Sequence, residues 1–211
     1  MSPDQRPEQP TRHYRSERRS AAAAATRRAI LDAALRLFVE RGYGRVTVQD
    51  IADEASIAVP TVYASTGGKA AVLGAIISNA THDPIVDETL AAIDECDTAL
   101  EVLRVTTHGV RTDNERHRDV IAVMRDAAAS DQTAAAILAE SDAFYREALA
   151  RTADRIQEIG ALKPGVTRER AIDVLWFFLG HHAWVLLVSD QRWTWEEAER
   201  WLGAQLRAAL L

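Results

Sequence analysis

Cysteine, glycine, proline and long apolar runs are all scarce in this sequence. Its 211 residues include one cysteine, Cys96, so an internal disulfide is excluded and we expect a reducing, cytoplasmic environment. Only 10 glycines and 6 prolines interrupt a chain rich in alanine and arginine, a composition that favours helices. The longest apolar stretch, residues 174–188, contains Gly180 and two histidines, so we expect no membrane span. No apolar stretch follows the N-terminal arginines, so we expect no signal peptide.

Signatures of catalysis and of cofactor binding are missing as well. The sequence contains no G-x-S-x-G, H-E-x-x-H, phosphate-binding-loop or G-x-G-x-x-G motif, and Cys96 has no evident catalytic partner. We therefore expect neither an enzyme nor a cofactor. His181 and His182 are adjacent, but neighbouring residues on a helix point apart and no carboxylate stands at a matching spacing. We therefore expect no metal site.

The charge is unevenly divided along the chain. The net charge of −6 taken alone argues against a protein that binds nucleic acid. Residues 1–80, however, carry 11 Lys and Arg against 8 Asp and Glu, whereas residues 81–211 carry 14 against 23. This division suggests a basic module that faces phosphates, attached to an acidic body that does not. Unrelated two-part proteins also show asymmetry of this size.

The first 80 residues divide into a tail and a helical region. Residues 1–20 are polar, lack apolar periodicity and are expected to be disordered. Their arginines either add phosphate or minor-groove contacts or belong to a solvated tail without a role. A helical apolar stripe begins at Ala21, and Gly42 is expected to end this helix, with Tyr43 packed back over its last turn.

Two short helices with a tight connection follow. Thr47 and Asp50 have the spacing of a capping box and predict a helix over residues 48–55. A turn over residues 56–58 leads to a second short helix over residues 59–65, which has a proline in its first turn. Two short helices joined by a three-residue turn predict a helix-turn-helix.

The remaining sequence predicts longer helices and no strands. The predicted fold class is all-α, with an N-terminal three-helix helix-turn-helix domain and a C-terminal helical bundle, nine or ten helices in total. We assign residues 1–20 to a tail, 21–80 to the helix-turn-helix domain and 81–211 to the bundle. Beyond the helix-turn-helix, helices are predicted over residues 69–80, 83–95, 98–111, 115–129, 132–160, 167–189 and 194–210.

The segment from Ile30 to Leu73 resembles the DNA-binding domain of the TetR family of repressors. The matching features are the helix ILDAALRLF, the turn RGY, the opening TVQDIADEA, and TVY followed six residues later by Lys69. Three features depart from the family's pattern. Ala58 stands where the recognition helix usually has a capping residue, Ser65 and Thr66 stand where an aromatic residue is usual, and Gly67-Gly68 replace a proline or serine.

The resemblance implies a ligand-responsive transcriptional regulator. Such a protein is a repressor that binds a palindromic operator in double-stranded DNA as a homodimer and releases it when a small-molecule effector binds; activation is the alternative. The final helices, over 167–189 and 194–210, look like the pair that commonly forms the dimer contact, with Trp176, Trp184 and Trp201 either as anchors or in the core. The competing hypotheses are a helical enzyme and a scaffolding bundle without DNA binding.

The recognition helix presents an apolar set of residues to DNA. A helix of this kind places its N-terminal residues against base edges in the major groove. Here those residues are Val59, Pro60, Thr61 and Tyr63. Since none is an Arg, Asn or Gln, we expect modest base readout and an affinity derived mainly from phosphates.

The expected phosphate contacts come from four positions. The resemblance suggests Thr47, Tyr63 and Lys69, and Arg45 is a further candidate beside Thr47. Each also has a structural interpretation: Thr47 as a helix cap alone, Tyr63 as a packed ring and Lys69 as a solvated surface charge.

The second domain is expected to bind the effector between its helices, where aromatic, histidine and methionine side chains are available. The same side chains could instead pack the core or the dimer contact. The candidates are His108, Met124, Phe144, Tyr145, Trp176, Phe177 and His181.

Overall fold

The protein is built from helices. The computed structural model describes residues 12–211, with side chains from Arg19 onward, and this part of the chain contains no strand. The helices are α1 (Arg12–Arg41), α2 (Val48–Glu54), α3 (Val59–Thr66), α4 (Lys69–Thr81), α5 (Pro84–Asp94), α6 (Ala99–Arg116), α7 (Arg118–Ala128), α8 (Gln132–Glu158), α9 (Arg168–Leu179), α10 (His181–Trp184) and α11 (Trp195–Leu210). A 3-10 turn over Tyr43–Arg45 follows α1, and a π-helical turn over Val185–Asp190 continues α10. The predicted all-α class is confirmed.

The first helix is longer than the sequence analysis predicted. It begins at Arg12 rather than Ala21, so the expectation of disorder is wrong for residues 12–20, and residues 1–11 lie outside the described part of the chain. The last proline of the tail is Pro10, and the Arg, Ser and Glu residues after it extend a helix that the alanine run supports. The helix ends where predicted, because Gly42 adopts a φ of 79° and the ring of Tyr43 returns to 5.1 Å from that of Phe38.

The helix-turn-helix forms with the predicted local chemistry. Thr47 caps α2 by accepting a hydrogen bond from the Asp50 backbone N–H at 3.1 Å. The Asp50 carboxylate accepts one from the Thr47 N–H at 2.8 Å, which completes the capping box. Helix α3 has Pro60 in its first turn and no side-chain cap from Ala58, as its sequence indicates. The bounds of α2 and α3 lie within about one residue of the predicted ones.

The predicted helix over residues 167–189 is interrupted. At Gly180 the backbone becomes extended, with φ −58° and ψ 153°, and α9 ends one residue earlier. The break frees the carbonyl of Leu179, which accepts hydrogen bonds from the hydroxyl of Tyr145 at 2.7 Å and from the indole N–H of Trp184 at 3.2 Å. These two side chains replace the backbone donors that a continuous helix would supply.

The N-terminal helices share one hydrophobic core with the second domain. Phe38 and Leu73, from α1 and α4, are buried in the same cluster as Val123 and Met124 from α7 and Ala134 from α8. A second cluster fills the bundle between α5, α6, α8, α9 and α11. The boundary that the sequence suggests near residue 80 is therefore bridged by packed side chains, and the two parts are rigidly joined.

Candidate functional site

Helix α3 presents an exposed face without charged side chains, next to α2. Val62 on α3 is completely buried and fixes which side of the helix faces the core. The opposite side exposes Pro60, Thr61 and Tyr63, and the Tyr63 side chain is 55% exposed. Val59 is partly buried and packs against the core beneath this face.

Arginines of α1 fix the positions of these short helices. Arg27 donates a hydrogen bond to the Ser65 carbonyl at 2.8 Å, which holds the last turn of α3. Arg36 pairs with Glu54 at 3.1 Å, at the end of α2. The exposed face is therefore held at both helices by contacts from one long helix.

Three of the four expected phosphate contacts lie beside this face, at the surface. Thr47, Arg45 and Tyr63 are exposed. Arg45 donates from its guanidinium to the Arg41 carbonyl, and the hydroxyl of Thr47 serves as the cap of α2. The capping role of Thr47 is thus established, and its phosphate contact stays a prediction.

Lys69, the fourth candidate, lies at the junction between the two domains. Its ammonium donates a hydrogen bond to the Tyr43 carbonyl at 3.0 Å and lies 4.2 Å above the centre of the Tyr43 ring. Tyr43 is 1% exposed; its N–H donates to Asp126 on α7 at 3.0 Å, and its hydroxyl donates to Asp131 at 3.2 Å. Burial and the Asp131 carboxylate raise the pKa of Tyr43 to about 12, so the phenol stays a donor. No local sequence pattern predicts this network, since Tyr43 and Asp131 are 88 residues apart.

An apolar cavity lies inside the second domain, between α4, α5, α6, α7 and α8. It encloses about 90 Å³. This is below the roughly 300–1,000 Å³ of pockets that enclose drug-sized ligands. Its apolar wall comprises Ile77, Ile85, Val86, Leu90, Ile93, Val110, Val120, Ile121, Met124, Phe144 and Leu149.

One carboxylate interrupts this apolar wall. Asp113 on α6 lines the cavity, and among the described residues its Oδ1 is buried without a hydrogen-bond partner. The nearest cationic candidate is His117, whose Nε2 lies 3.7 Å from this oxygen but 3.1 Å from Asp83. Burial raises the pKa of Asp113 to about 6; the His117 charge opposes this shift and the Asp83 charge adds to it.

A histidine on the cavity wall is held neutral. Nδ1 of His181 lies 2.9 Å from Oδ1 of Asn114, whose amide N–H₂ donates to the Val110 carbonyl at 2.9 Å. This arrangement places a hydrogen on Nδ1 of the imidazole. Burial lowers the pKa of His181 to about 4, so the ring carries no charge at neutral pH. Its ring stacks on that of Tyr145 at 4.7 Å.

Four of the seven expected effector residues surround this cavity. Met124, Phe144, Tyr145 and His181 line it. The other three lie elsewhere. His108 faces α11 and pairs with Glu199 at 3.0 Å, Trp176 packs against the outer side of Tyr145, and Phe177 is 65% exposed on the molecular surface.

Asp113 was not among the expected effector residues. A signal for it exists, because it follows Val102, Thr106 and Val110 at helical spacing along a buried stripe. The sequence alone does not show that this stripe faces a void.

Three large apolar side chains are exposed on the last helices of the chain. Phe177 on α9, Leu186 in the π-helical turn and Trp201 on α11 are 65%, 52% and 42% exposed. Trp184 instead lies in the core, 1% exposed and stacked on Trp195, and therefore takes the core role that the sequence left open.

By length and composition alone, Arg168–Asp190 could cross a membrane, and 28% of its most apolar window is buried. This is weak evidence, because the helix breaks at Gly180, and Leu175 and Leu179 on its inner side pack in the core.

Residues 30–76 match the family of bacterial regulatory proteins called the tetR family. This range covers the end of α1, both helices of the helix-turn-helix and most of α4. This segment is therefore a DNA-binding domain of the TetR family. The match assigns this segment to bacterial DNA-binding regulatory proteins and not to an enzyme.

Solved structures of TetR-like proteins share the fold over the whole described bundle. SmeT of Stenotrophomonas maltophilia in complex with triclosan has a TM-score of 0.73 and 24% identity, covering 89% of this chain and 92% of SmeT. FadR of Bacillus halodurans, a fatty acid degradation regulator, has a TM-score of 0.73 and 18% identity, and the match covers 86% of this chain and 94% of FadR. FadR of Bacillus subtilis in complex with stearoyl-CoA has a TM-score of 0.68 and 19% identity, and the match covers 87% of this chain and 98% of that FadR. No protein of curated function matches the sequence.

The buried carboxylate makes stability depend on pH. In an unfolded chain an Asp carboxyl has a pKa of about 3.9, and in the folded protein that of Asp113 is about 6. Between these values the folded state binds more protons, so this group makes the protein less stable as pH rises, and the loss is complete above the folded pKa. His181, with its lowered pKa, contributes the opposite slope.

We predict that Asp113→Asn removes the loss of folding stability that ionisation of the buried Asp113 carboxyl causes. The free energy of unfolding of the variant should exceed that of the wild type by about 1–2 kcal/mol near neutral pH and approach it near pH 4. Urea unfolding followed by circular dichroism at both pH values measures the difference, and the contribution of His181 cancels. Asp87→Asn, an exposed carboxylate on the neighbouring helix α5, is the matched control. An equal gain in both variants would contradict the prediction.

Proposed function

We propose that this protein is an effector-responsive repressor that acts as a homodimer in the cytoplasm. It binds a palindromic operator through α2 and α3 of each subunit and releases it when a small molecule enters the cavity. One observation carries the proposal: the helices that form the cavity walls are also the helices packed against the DNA-binding domain.

Helix α4 connects the cavity to the DNA-reading face. Its C-terminal half contributes Ile77, Ala80 and Thr81 to the cavity wall. Its first residue, Lys69, is bonded to Tyr43, and α3 ends three residues before it. A displacement at the cavity end of this 13-residue helix therefore acts directly on the position of α3.

Helix α7 provides a second connection. Val120, Ile121 and Met124 line the cavity, and Asp126, half a turn further on, accepts the hydrogen bond from the Tyr43 N–H. We expect a drug-sized ligand to move these walls apart, because the cavity volume is only about 90 Å³. The expansion required for binding is thus the source of the force on the DNA-binding domain, because packed walls respond by shifting as units.

The apolar outer surface formed by Phe177, Leu186 and Trp201 supports pairing with a second copy of the chain. An exposed apolar patch of this kind is typical of a protein contact, and in a two-fold dimer the same patch serves both subunits. Pairing would place two α3 helices at the spacing of successive major grooves, about 34 Å apart. An effector that favours another separation would then release the operator.

The similar structures support an effector of low molecular weight. SmeT was solved with triclosan and Bacillus subtilis FadR with stearoyl-CoA, so TetR-like folds accommodate apolar compounds. No described residue that lines the present cavity is Lys or Arg, so it offers no counterpart for the phosphates of a coenzyme A ester.

Filling the cavity with a side chain tests the proposed release mechanism without an effector. Ala148 on α8 lines the cavity, and Ala148→Phe places an aromatic ring in it. We expect operator affinity, measured by fluorescence anisotropy on palindromes selected from genomic DNA, to fall at least tenfold while the helical content is retained. Ala148→Ser is the control. A folded Ala148→Phe dimer that binds the operator like the wild type would contradict the mechanism.

Lys69→Ala should weaken binding to all DNA sequences to a similar extent. If its ammonium contacts a phosphate, the plot of log K against log salt concentration becomes flatter by about one unit. Lys163→Ala is the matched control, since this second lysine of the chain bonds the Ala208 carbonyl at the far end of the bundle. An unchanged slope would assign Lys69 to the junction with Tyr43 alone.

Leu186→Glu should convert the dimer to a monomer, because it places a charge in the proposed contact. Analytical ultracentrifugation measures the mass, and operator affinity should fall at least a hundredfold. Leu100→Glu makes the same change at a leucine on α6 with the same exposure, 52%, away from this surface. Dimerisation by the Leu186 variant would place the contact elsewhere.

A further inference from the structure

We propose that the effector of this cavity is an apolar molecule that carries one protonated amine, bound by the carboxylate of Asp113. The inference rests on the proposed function, because it takes the cavity as the effector site and names the chemistry of its occupant. It is carried by the unpaired Asp113 oxygen and by the charges around it.

The charges at this end of the cavity do not balance. Two carboxylates, Asp83 and Asp113, face the same histidine, His117. The permanent cation beside them is Arg116, and its guanidinium lies 2.7 Å from Asp83. Arg116 therefore compensates Asp83, and Asp113 is left without a hydrogen-bonded cation, since its ion pair with His117 spans 3.7 Å.

His117 does not replace that partner. Its Nε2 lies 3.1 Å from Oδ2 of Asp83 and 3.7 Å from Oδ1 of Asp113, so the hydrogen on this nitrogen goes to Asp83. Oδ1 of Asp113 is consequently a buried acceptor without a donor. A ligand ammonium at this position would supply the missing hydrogen bond and the missing positive charge together, which is the stronger class of hydrogen bond.

The rest of the cavity selects for an apolar body. The walls are aliphatic and aromatic side chains, and the hydroxyls of Thr106 and Thr152 bond to each other at 3.1 Å rather than facing the void unpaired. His181 is neutral, and no described lining residue is Lys or Arg. An anionic ligand would meet the like charge of Asp113, while His117, the cationic candidate in the lining, is bonded to Asp83. A neutral alcohol would supply the hydrogen bond without the charge.

Three small congeners test the assignment. Phenethylamine, phenethyl alcohol and phenylacetate share a phenyl ring on a two-carbon chain and differ in the charge of the head group. Isothermal titration calorimetry with the full-length dimer at neutral pH measures each affinity. We expect the amine to bind at least tenfold more tightly than the alcohol, and the acid to bind most weakly.

Variants connect this preference to one side chain. Asp113→Asn should lower the affinity for the amine to that for the alcohol and leave the affinity for the alcohol within about twofold. Asp87→Asn removes an exposed carboxylate from α5 and should retain the full preference for the amine. This comparison separates a contact with Asp113 from a general effect of negative charge.

Three results would overturn the assignment: no binding of the amine, equal or tighter binding of the alcohol or acid, or an amine preference that persists in Asp113→Asn. These results would leave the effector-responsive repressor intact, because the Ala148→Phe test needs no ligand. Conversely, an amine that binds through Asp113 but leaves the operator complex undisturbed would sustain the assignment and contradict release.

Discussion

The core of the DNA-binding domain continues without a break into the second domain, and this constraint governs the rest of the structure. Helices α7 and α8 contribute Val123, Met124 and Ala134 to the same cluster as Phe38 and Leu73 of the DNA-binding domain. Tyr43 orients the DNA-binding domain relative to the second domain, because its N–H donates a hydrogen bond to Asp126 and its hydroxyl donates one to Asp131. The orientation of the DNA-reading face is therefore set by the body of the protein, through side chains that also border the cavity.

This arrangement makes sensing a problem of packing. Packed interiors shift between discrete arrangements and do not deform gradually, so a small expansion at the cavity moves whole helices. Met124 belongs to both the shared core and the cavity wall, which leaves no soft layer between them. The buried carboxylate of Asp113 adds chemical selection to this device, since an uncompensated charge in an apolar wall discriminates strongly between head groups.

The sequence predicts the DNA-reading half well because its signals are local. The capping box at Thr47 and the proline in the first turn of α3 act over three or four residues, and each appears as expected. The cavity and the junction depend on contacts between distant residues, such as Tyr43 with Asp126, 83 positions apart, which no local pattern encodes. The sequence shows that the second domain is rich in aromatic and histidine side chains. Helix packing decides which of them line the cavity, which lie in the core and which are exposed. Phe177 and Tyr145 illustrate this, since both looked suitable for a ligand and only Tyr145 faces the void.

The break at Gly180 has a consequence for how such a protein can evolve. Its backbone angles are ordinary, yet a Cβ there would lie 2.6 Å from the Trp176 carbonyl and 2.7 Å from the His182 ring. The position requires glycine for space and not for conformational freedom. Any side chain acquired there would displace α10, which carries His181 on the cavity side and leads into Leu186 on the outer surface. A substitution at Gly180 would therefore alter the proposed dimer contact and the cavity wall together.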